Sequence, residues 1–259
     1  MEPEPLIFKG KTKYTPLTIT RRANTLELRC GSDALHSLVN IDHPHKLILK
    51  NLQHLMGVLL FLPPPRNILL LGTGGGSLIH FLRYHYPQCR ITSVDLDAEL
   101  QNLMHQKMLL PEASENLVYV VDDATQYLHH CHQQFDLVLV DIFNGSQSPD
   151  WLLDSPCIQR VQTLLSDQGA VAYNLLIDSE HAFKLFHRNL IRVFAQQALF
   201  LPVEGYDNTL AYGFRYRPPQ REMSYYMQQA SNMAELHEIN YNEVLAAIYT
   251  TNPIGSGVI

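Results

Sequence analysis

From Asn67 onward the chain alternates short apolar runs with amphipathic segments, and this alternation limits the possible folds more than any other feature. The runs NILLL (67–71), RITSVD (90–95), LVYVV (117–121) and FDLVLVD (135–141) read as strands, with SLIHFLRYHY, AELQNLMHQKM and ATQYLHH lying between them. Strands that are apolar along their whole length are buried on both faces. A helical segment between successive strands supplies the crossover that parallel pairing needs. The expected core is therefore an α/β fold, a mostly parallel sheet with helices on both faces.

Further along, Ser155-Pro156 reads as a cap followed by Pro at the first helical position, opening a helix through Leu165 that Asp167-Gln168-Gly169 stops. A strand AVAYNLL follows, then a helix over about 179–189, then QALFLP and TLAYGFRYR as an antiparallel pair. Residues 223–249 read as one amphipathic helix. Upstream, Pro63-Pro64-Pro65 is the clearest seam. Before it, LTIT (17–20), TLELRC (25–30) and HSLVNI (36–41) read as a small antiparallel β unit. Pro44 suits a first helical position, and apolar residues at 48, 52, 55, 59 and 62 predict a helix over 44–62 that packs on the main domain. The expected division is a β unit over 1–43 and a catalytic α/β domain with a C-terminal helix over 44–259.

Composition narrows the class of function. With 259 residues, 46% hydrophobic and 17% charged, the chain is globular and long enough for one large domain, or one domain with an appendage. Its net charge of −6 lacks the basic footprint that phosphate backbones require, so no nucleic-acid partner is expected. The acid excess weakly favours cationic ligands. The N-terminus MEPEPLIFKGK is unlike a signal peptide, and no apolar run is long enough for a membrane span, so no membrane partner and a cytoplasmic location are expected. Cys30, Cys89, Cys131 and Cys157 form no CxxC pair and read as reduced structural thiols. The cluster His129-His130-Cys131-His132 reads as the solvated end of a helix, with a metal site as the alternative; no metal is expected.

The segment LLLGTGGGSLIHFL (69–82) is a buried strand running through a glycine turn into a helix. Gly72, Gly74 and Gly76 let the backbone bend sharply and let a ligand approach without a Cβ in the way. The pattern is GxGxG with Ser77 at the sixth place, which suits a nucleoside without a pyrophosphate, such as S-adenosylmethionine (AdoMet); a plain tight turn is the alternative. The next strand ends at Asp95, 23 residues after Gly72, where a carboxylate can accept hydrogen bonds from ribose hydroxyls. Asp97 is a candidate helix cap. The third strand ends in Asp122-Asp123-Ala124, a place for adenine contact or for an N-cap. The fourth ends at Asp141, beside the reactive end of a sulfonium ligand, where an acid can orient and deprotonate an amine. Ligands of open α/β sheets bind along this carboxyl edge.

With the glycine loop, VDLD, DDA and VD taken together, the sequence over about 25–215 resembles the spermidine synthase (polyamine aminopropyltransferase) family, within the wider AdoMet-dependent methyltransferase fold. The segment LLSDQGAVAYNL resembles the family's entry into its fifth strand. The resemblance implies a Rossmann-like, seven-stranded, mostly parallel sheet with a small N-terminal β unit. It also implies transfer of the aminopropyl group of decarboxylated AdoMet to a small-molecule amine, by a homodimer. By the same resemblance Gly72, Gly74 and Gly76 line the cosubstrate loop, Asp95 takes the ribose, Asp123 with Ala124 takes the adenine, and Asp141 accepts the proton.

Several residues depart from the family pattern. Members carry GGGDGG in the loop, where this chain has Gly75 in place of the acid. The family's Asp-Ser-Ser-Asp is here Asp141-Ile142-Phe143-Asn144, so the second acid is neutral. The family's glutamine and Tyr-His motifs have only loose counterparts in His36 and His45, and VEGYDNTLAYGF lacks the Pro-Tyr-Pro gate. Glu204 and Asp207 remain as candidate amine-binding charges. Two other readings stay open: a small-molecule methyltransferase using AdoMet itself, and a nucleoside-binding homologue without catalysis.

Overall fold

The computed structural model describes residues 5–31, 34–145, 147–219, 221–252 and 258–259. An N-terminal antiparallel sheet runs in the order β1 (Leu6–Lys11), β2 (Pro16–Arg22), β3 (Thr25–Cys30), β4 (Ala34–Asn40). The first strand was not expected from the sequence. A seven-stranded sheet follows, built from β5 (Asn67–Leu71), β6 (Arg90–Asp95), β7 (Leu117–Val121), β8 (Phe135–Val140), β9 (Leu165–Leu176), β10 (Ala198–Pro202) and β11 (Asn208–Phe214). Its order is β10-β11-β9-β8-β5-β6-β7; β5 to β9 run parallel, while β11 is antiparallel to both of its neighbours. The expected antiparallel pair near the C-terminus is therefore built into the sheet edge.

The helices are α1 (Lys50–Leu55), α2 (Ser77–His85), α3 (Ala98–Lys107), α4 (Ala124–His130), α5 (Ser155–Thr163), α6 (Glu180–Val193), α7 (Met223–His237) and α8 (Tyr241–Thr251). Alternate residues of β5 enter different cores, as a strand buried on both faces requires. Ile68 and Leu70 join Leu28 and Val39 of the N-terminal sheet and Val244 of α8. Leu69 and Leu71 join Ile158 of α5 and Phe186 of α6.

Four local expectations are corrected. The segment 44–62 is not one helix: α1 begins at Lys50 and passes into a 3-10 stretch, Met56–Phe61. Pro44 instead occupies the second place of a turn closed by the Lys46 N–H donating to the His43 carbonyl at 3.0 Å, a position proline also favours. The helix expected through Leu165 ends at Thr163, and Asp167-Gln168-Gly169 lie inside β9. There the pairing jumps from Phe135↔Leu165 to Leu137↔Ala170, so the polar triplet forms a bulge rather than a helix stop. Asp154, not Ser155, is the N-cap residue, and Ser155 Oγ accepts from Arg192 at 2.8 Å. The tail is two helices, because Glu238 turns left-handed (φ 56°) and the Asn240 side chain caps α8 by accepting from the Glu243 N–H.

Candidate active site

The loops after β5, β6, β7 and β8 meet at the carboxyl edge of the sheet. Chain order reverses between β5 and β8, the place where open α/β sheets bind ligands. Gly72, Gly74 and Gly76 all have positive φ (95°, 52° and 87°). The loop leaving β5 also runs so close to the loop leaving β8 that a Cβ on Gly72 would stand 2.3 Å from the Asp141 carbonyl oxygen. Gly74, in contrast, has open space where its Cβ would be. That space is open to a ligand.

Asp95 ties the glycine loop to β6. One carboxylate oxygen accepts the Thr73 N–H at 2.8 Å and the other the Asp97 N–H at 3.0 Å. Burial raises the pKa of Asp95 despite these bonds. A carboxylate offers about four lone-pair sites; with the Gly74 backbone also bonded to Asp95, about one remains for a ribose hydroxyl. Asp97 is the cap of α3, accepting from the Leu100 N–H at 3.0 Å, and it also receives the Thr12 hydroxyl from the β1–β2 turn.

At the end of β7, Asp123 caps α4. Its Oδ1 accepts the Thr125 N–H at 2.7 Å, the Thr125 hydroxyl, and the Gln126 N–H at 3.4 Å. The hydroxyl bond is the main reason its pKa is lowered. Ala124 opens the helix beside it. Asp122 N–H donates to the Asp95 carbonyl at 3.1 Å, which holds the two strand ends together. The three acids expected from sequence thus lie along one edge.

Asp141 follows β8, and burial pushes its carboxyl up to about 6. The residue as a whole is half-buried, and its Oδ1 accepts from the Asn174 side-chain amide at 2.8 Å, a bond that opposes the rise. Asn174 was absent from the sequence-based site, although an Asn inside the apolar strand AVAYNLL was a readable signal: a fully buried amide needs partners.

The N-terminal sheet overlies this edge. Ser37 of β4 shares a 2.8 Å hydrogen bond with Ser77 at the start of α2, and His36 Nε2 lies 3.1 Å from the Gly145 carbonyl. A Cβ on Gly75 would stand 2.5 Å from Ser37 Oγ and 2.6 Å from Ser37 Cβ. The place of the family's loop acid is therefore occupied by β4.

Other candidates lie elsewhere. His45 stacks on Tyr84 at 3.8 Å near the C-terminal end of α2, away from the glycine loop. Lys50 is held charged mainly by Glu243 at 2.7 Å, with Glu204 adding to the same effect, and Asn144 N–H bonds the Gln147 carbonyl at 2.7 Å. Among the described residues no group of three or more His, Cys, Asp or Glu could hold a metal, and His130 bonds its own helix through the Gln126 carbonyl at 3.0 Å. No helix among them is long and apolar enough to cross a membrane.

Residues 50–201 match the profile of the Spermine/spermidine synthase domain. A polyamine aminopropyltransferase of Neisseria meningitidis is 27% identical over 94% of this chain and 93% of its own length. An eEF1A lysine and N-terminal methyltransferase homolog of Drosophila melanogaster is 28% identical over 50% of this chain and 20% of its own. Among solved structures, a probable spermidine synthase from Corynebacterium glutamicum matches with a TM-score of 0.73 at 19% identity, covering 87% of each chain. A spermidine synthase in complex with the transition-state analogue AdoDATO gives 0.68 at 16% identity, covering 94% of this chain and 83% of that one. Human Methyltransferase-like protein 13 in complex with SAH gives 0.62 at 20% identity, with 76% and 92% covered. The profile spans more than half of the sequence and coincides with the sheet edge that carries the glycine loop, so this chain belongs to the spermine/spermidine synthase family.

Proposed function

We propose that the protein transfers the aminopropyl group of decarboxylated AdoMet to a small amine, with Asp141 as proton acceptor. The observation that carries this reading is the placement of Asp141: an acid at the switch point, its backbone against the glycine turn at Gly72 and its carboxyl shifted toward neutral pH by burial. The polyamine aminopropyltransferases it is similar to over nearly their whole length support the same reaction class. Gly72, Gly74 and Gly76 would carry the nucleoside loop, Asp95 the ribose, and Asp123 with Ala124 the adenine. The open space at the Gly74 Cβ position and the remaining acceptor site of Asp95 fit such a ligand.

In this reaction the amine nitrogen attacks the carbon next to the sulfonium, an N–C bond forms, and the C–S electron pair leaves with sulfur in neutral methylthioadenosine. Asp141 takes the proton released from the nitrogen. A carboxylate with a pKa near 6 is a better acceptor at neutral pH than an ordinary one, because its basicity is closer to the working pH. The chain's other contribution is orientation, since the sulfonium is already a good leaving group.

A second reading, methyl transfer from AdoMet itself, is favoured by Gly75. With β4 filling that place, the loop carries no acid to reject a carboxylated cosubstrate. Incubating the protein with either nucleoside and a panel of diamines separates the two readings by mass spectrometry. Methylthioadenosine is the expected product; S-adenosylhomocysteine alone would overturn aminopropyl transfer. Asp141→Asn should keep nucleoside binding and lose about 10²-fold or more in turnover. Unchanged turnover would remove Asp141 from this role.

A further inference from the structure

Asp141 does not stand alone: a line of buried amides runs from it across the sheet. Val140 pairs with Tyr173 in the parallel β8–β9 ladder, so one residue further along Asp141 comes beside Asn174. In the antiparallel ladder, Asn174 faces Leu210, which puts Asn208 at its diagonal neighbour position. Asn208 Nδ2 donates to Asn174 Oδ1 at 2.8 Å, and Asn174 Nδ2 donates to Asp141 Oδ1 at 2.8 Å. Asn174 is fully buried and Asn208 nearly so. The order of donors follows from chemistry. An ionised carboxylate only accepts, so Asn174 must turn its NH₂ toward Asp141, which leaves its oxygen needing the donor that Asn208 supplies.

We infer that Asn208 and Asn174 are positioning residues that lock one carboxylate oxygen of Asp141, leaving the other for the substrate proton. Asn208 never touches the carboxylate; it acts by fixing which way the Asn174 amide points. Without it, the buried Asn174 oxygen would lack a partner, and rotation of the amide would aim that oxygen at the carboxylate instead of the NH₂ group. The contacts to Asp141 from neighbouring segments are uncharged: Leu71 at the end of β5 and Gly72 after it meet its backbone, and Asn174 of β9 meets its carboxylate, with Asn208 of β11 reaching it only through Asn174. Burial and the Asn174 amide are what set its titration.

The catalytic value of this relay rests on the proton-acceptor role proposed for Asp141, but its existence can be tested without turnover. Selective ¹³C labelling of aspartate allows the Asp141 carboxyl carbon to be titrated by NMR in the full-length protein, with Asp141→Asn assigning the signal. In Asn174→Leu the carboxylate loses its donor, and the midpoint should move up by about 1 pH unit, equivalent to one charge-assisted hydrogen bond. In Asn208→Ala the midpoint should move the same way by a smaller amount, with Asn174 untouched. If Asn174→Leu fails to fold, Asn208→Ala alone decides the matter. A midpoint unmoved in Asn208→Ala would overturn the relay, and so would an unmoved midpoint in folded Asn174→Leu. Shifted midpoints together with full turnover by Asp141→Asn would keep the relay and reject the proton-acceptor role, so the two failures are distinguishable.

Discussion

Gly75 shows how a single residue is set by its neighbour across the site rather than by its own loop. The sequence alone marks a missing acid there, whereas the structure shows that Ser37 stands where a side chain would begin. Gly75→Asp, which restores the family's residue, should destabilise the fold by about 1–3 kcal/mol, the usual cost of overpacking. Pairing it with Ser37→Gly should recover a large part of that loss. Denaturant midpoints of the two variants check both statements; equal stability of the single variant and the parent would show that β4 yields at this point.

At the scale of elements, the junction of α7 and α8 is closed by aromatic rings that must stay uncharged. His237 packs against Phe81, His85 and Tyr86, and its ring nitrogens meet the Tyr241 hydroxyl at 2.7 Å and the Tyr86 hydroxyl at 3.3 Å. Burial pushes both His85 and His237 down to about 4. Between the ordinary histidine value of 6.5 and about 4, the unfolded chain binds more protons than the folded one, so stability is lost as pH falls through that window. His85 Nε2 is buried without a hydrogen-bond partner. His85→Phe therefore removes a titrating group and leaves no orphaned partner at that nitrogen. Acid unfolding followed by circular dichroism should shift to lower pH in this variant, with stability at pH 7 held or raised. An acid limb identical to the parent's would place the titration elsewhere.

In the whole molecule the site works against this stability. Burial raises Asp141 from 3.8 to about 6, so over that interval the folded state binds the extra proton and stability falls as pH rises. The shift of about two units corresponds to at most about 3 kcal/mol, lost by pH 7. Asp141→Asn should therefore melt higher than the parent at pH 8, with the gap shrinking toward pH 4.5. A gap independent of pH would mean that the carboxyl is not strained by burial.

The parallel core was legible because its cause is local. Apolar runs such as NILLL and FDLVLVD, separated by amphipathic segments, are buried on both faces, and Gly72 and Gly76 mark a turn where a side chain would clash. Asp95, the pair Asp122-Asp123 and Asp141 were legible for the same reason, being the polar residues at the ends of those runs. Helix ends were less legible: Pro44 serves a turn as well as a helix start, and Asp167-Gln168-Gly169 can bulge a strand as readily as stop a helix. Local pattern thus fixed the alternation of strands and helices in the nucleoside half and the acids at its strand ends, but not the order of the strands in the sheet. Tertiary packing alone sets Ser37 into the space at Gly75 and links Asn208 through Asn174 to Asp141, because contacts between residues tens of positions apart depend on ladder register and on how the two sheets pack, which no local pattern encodes.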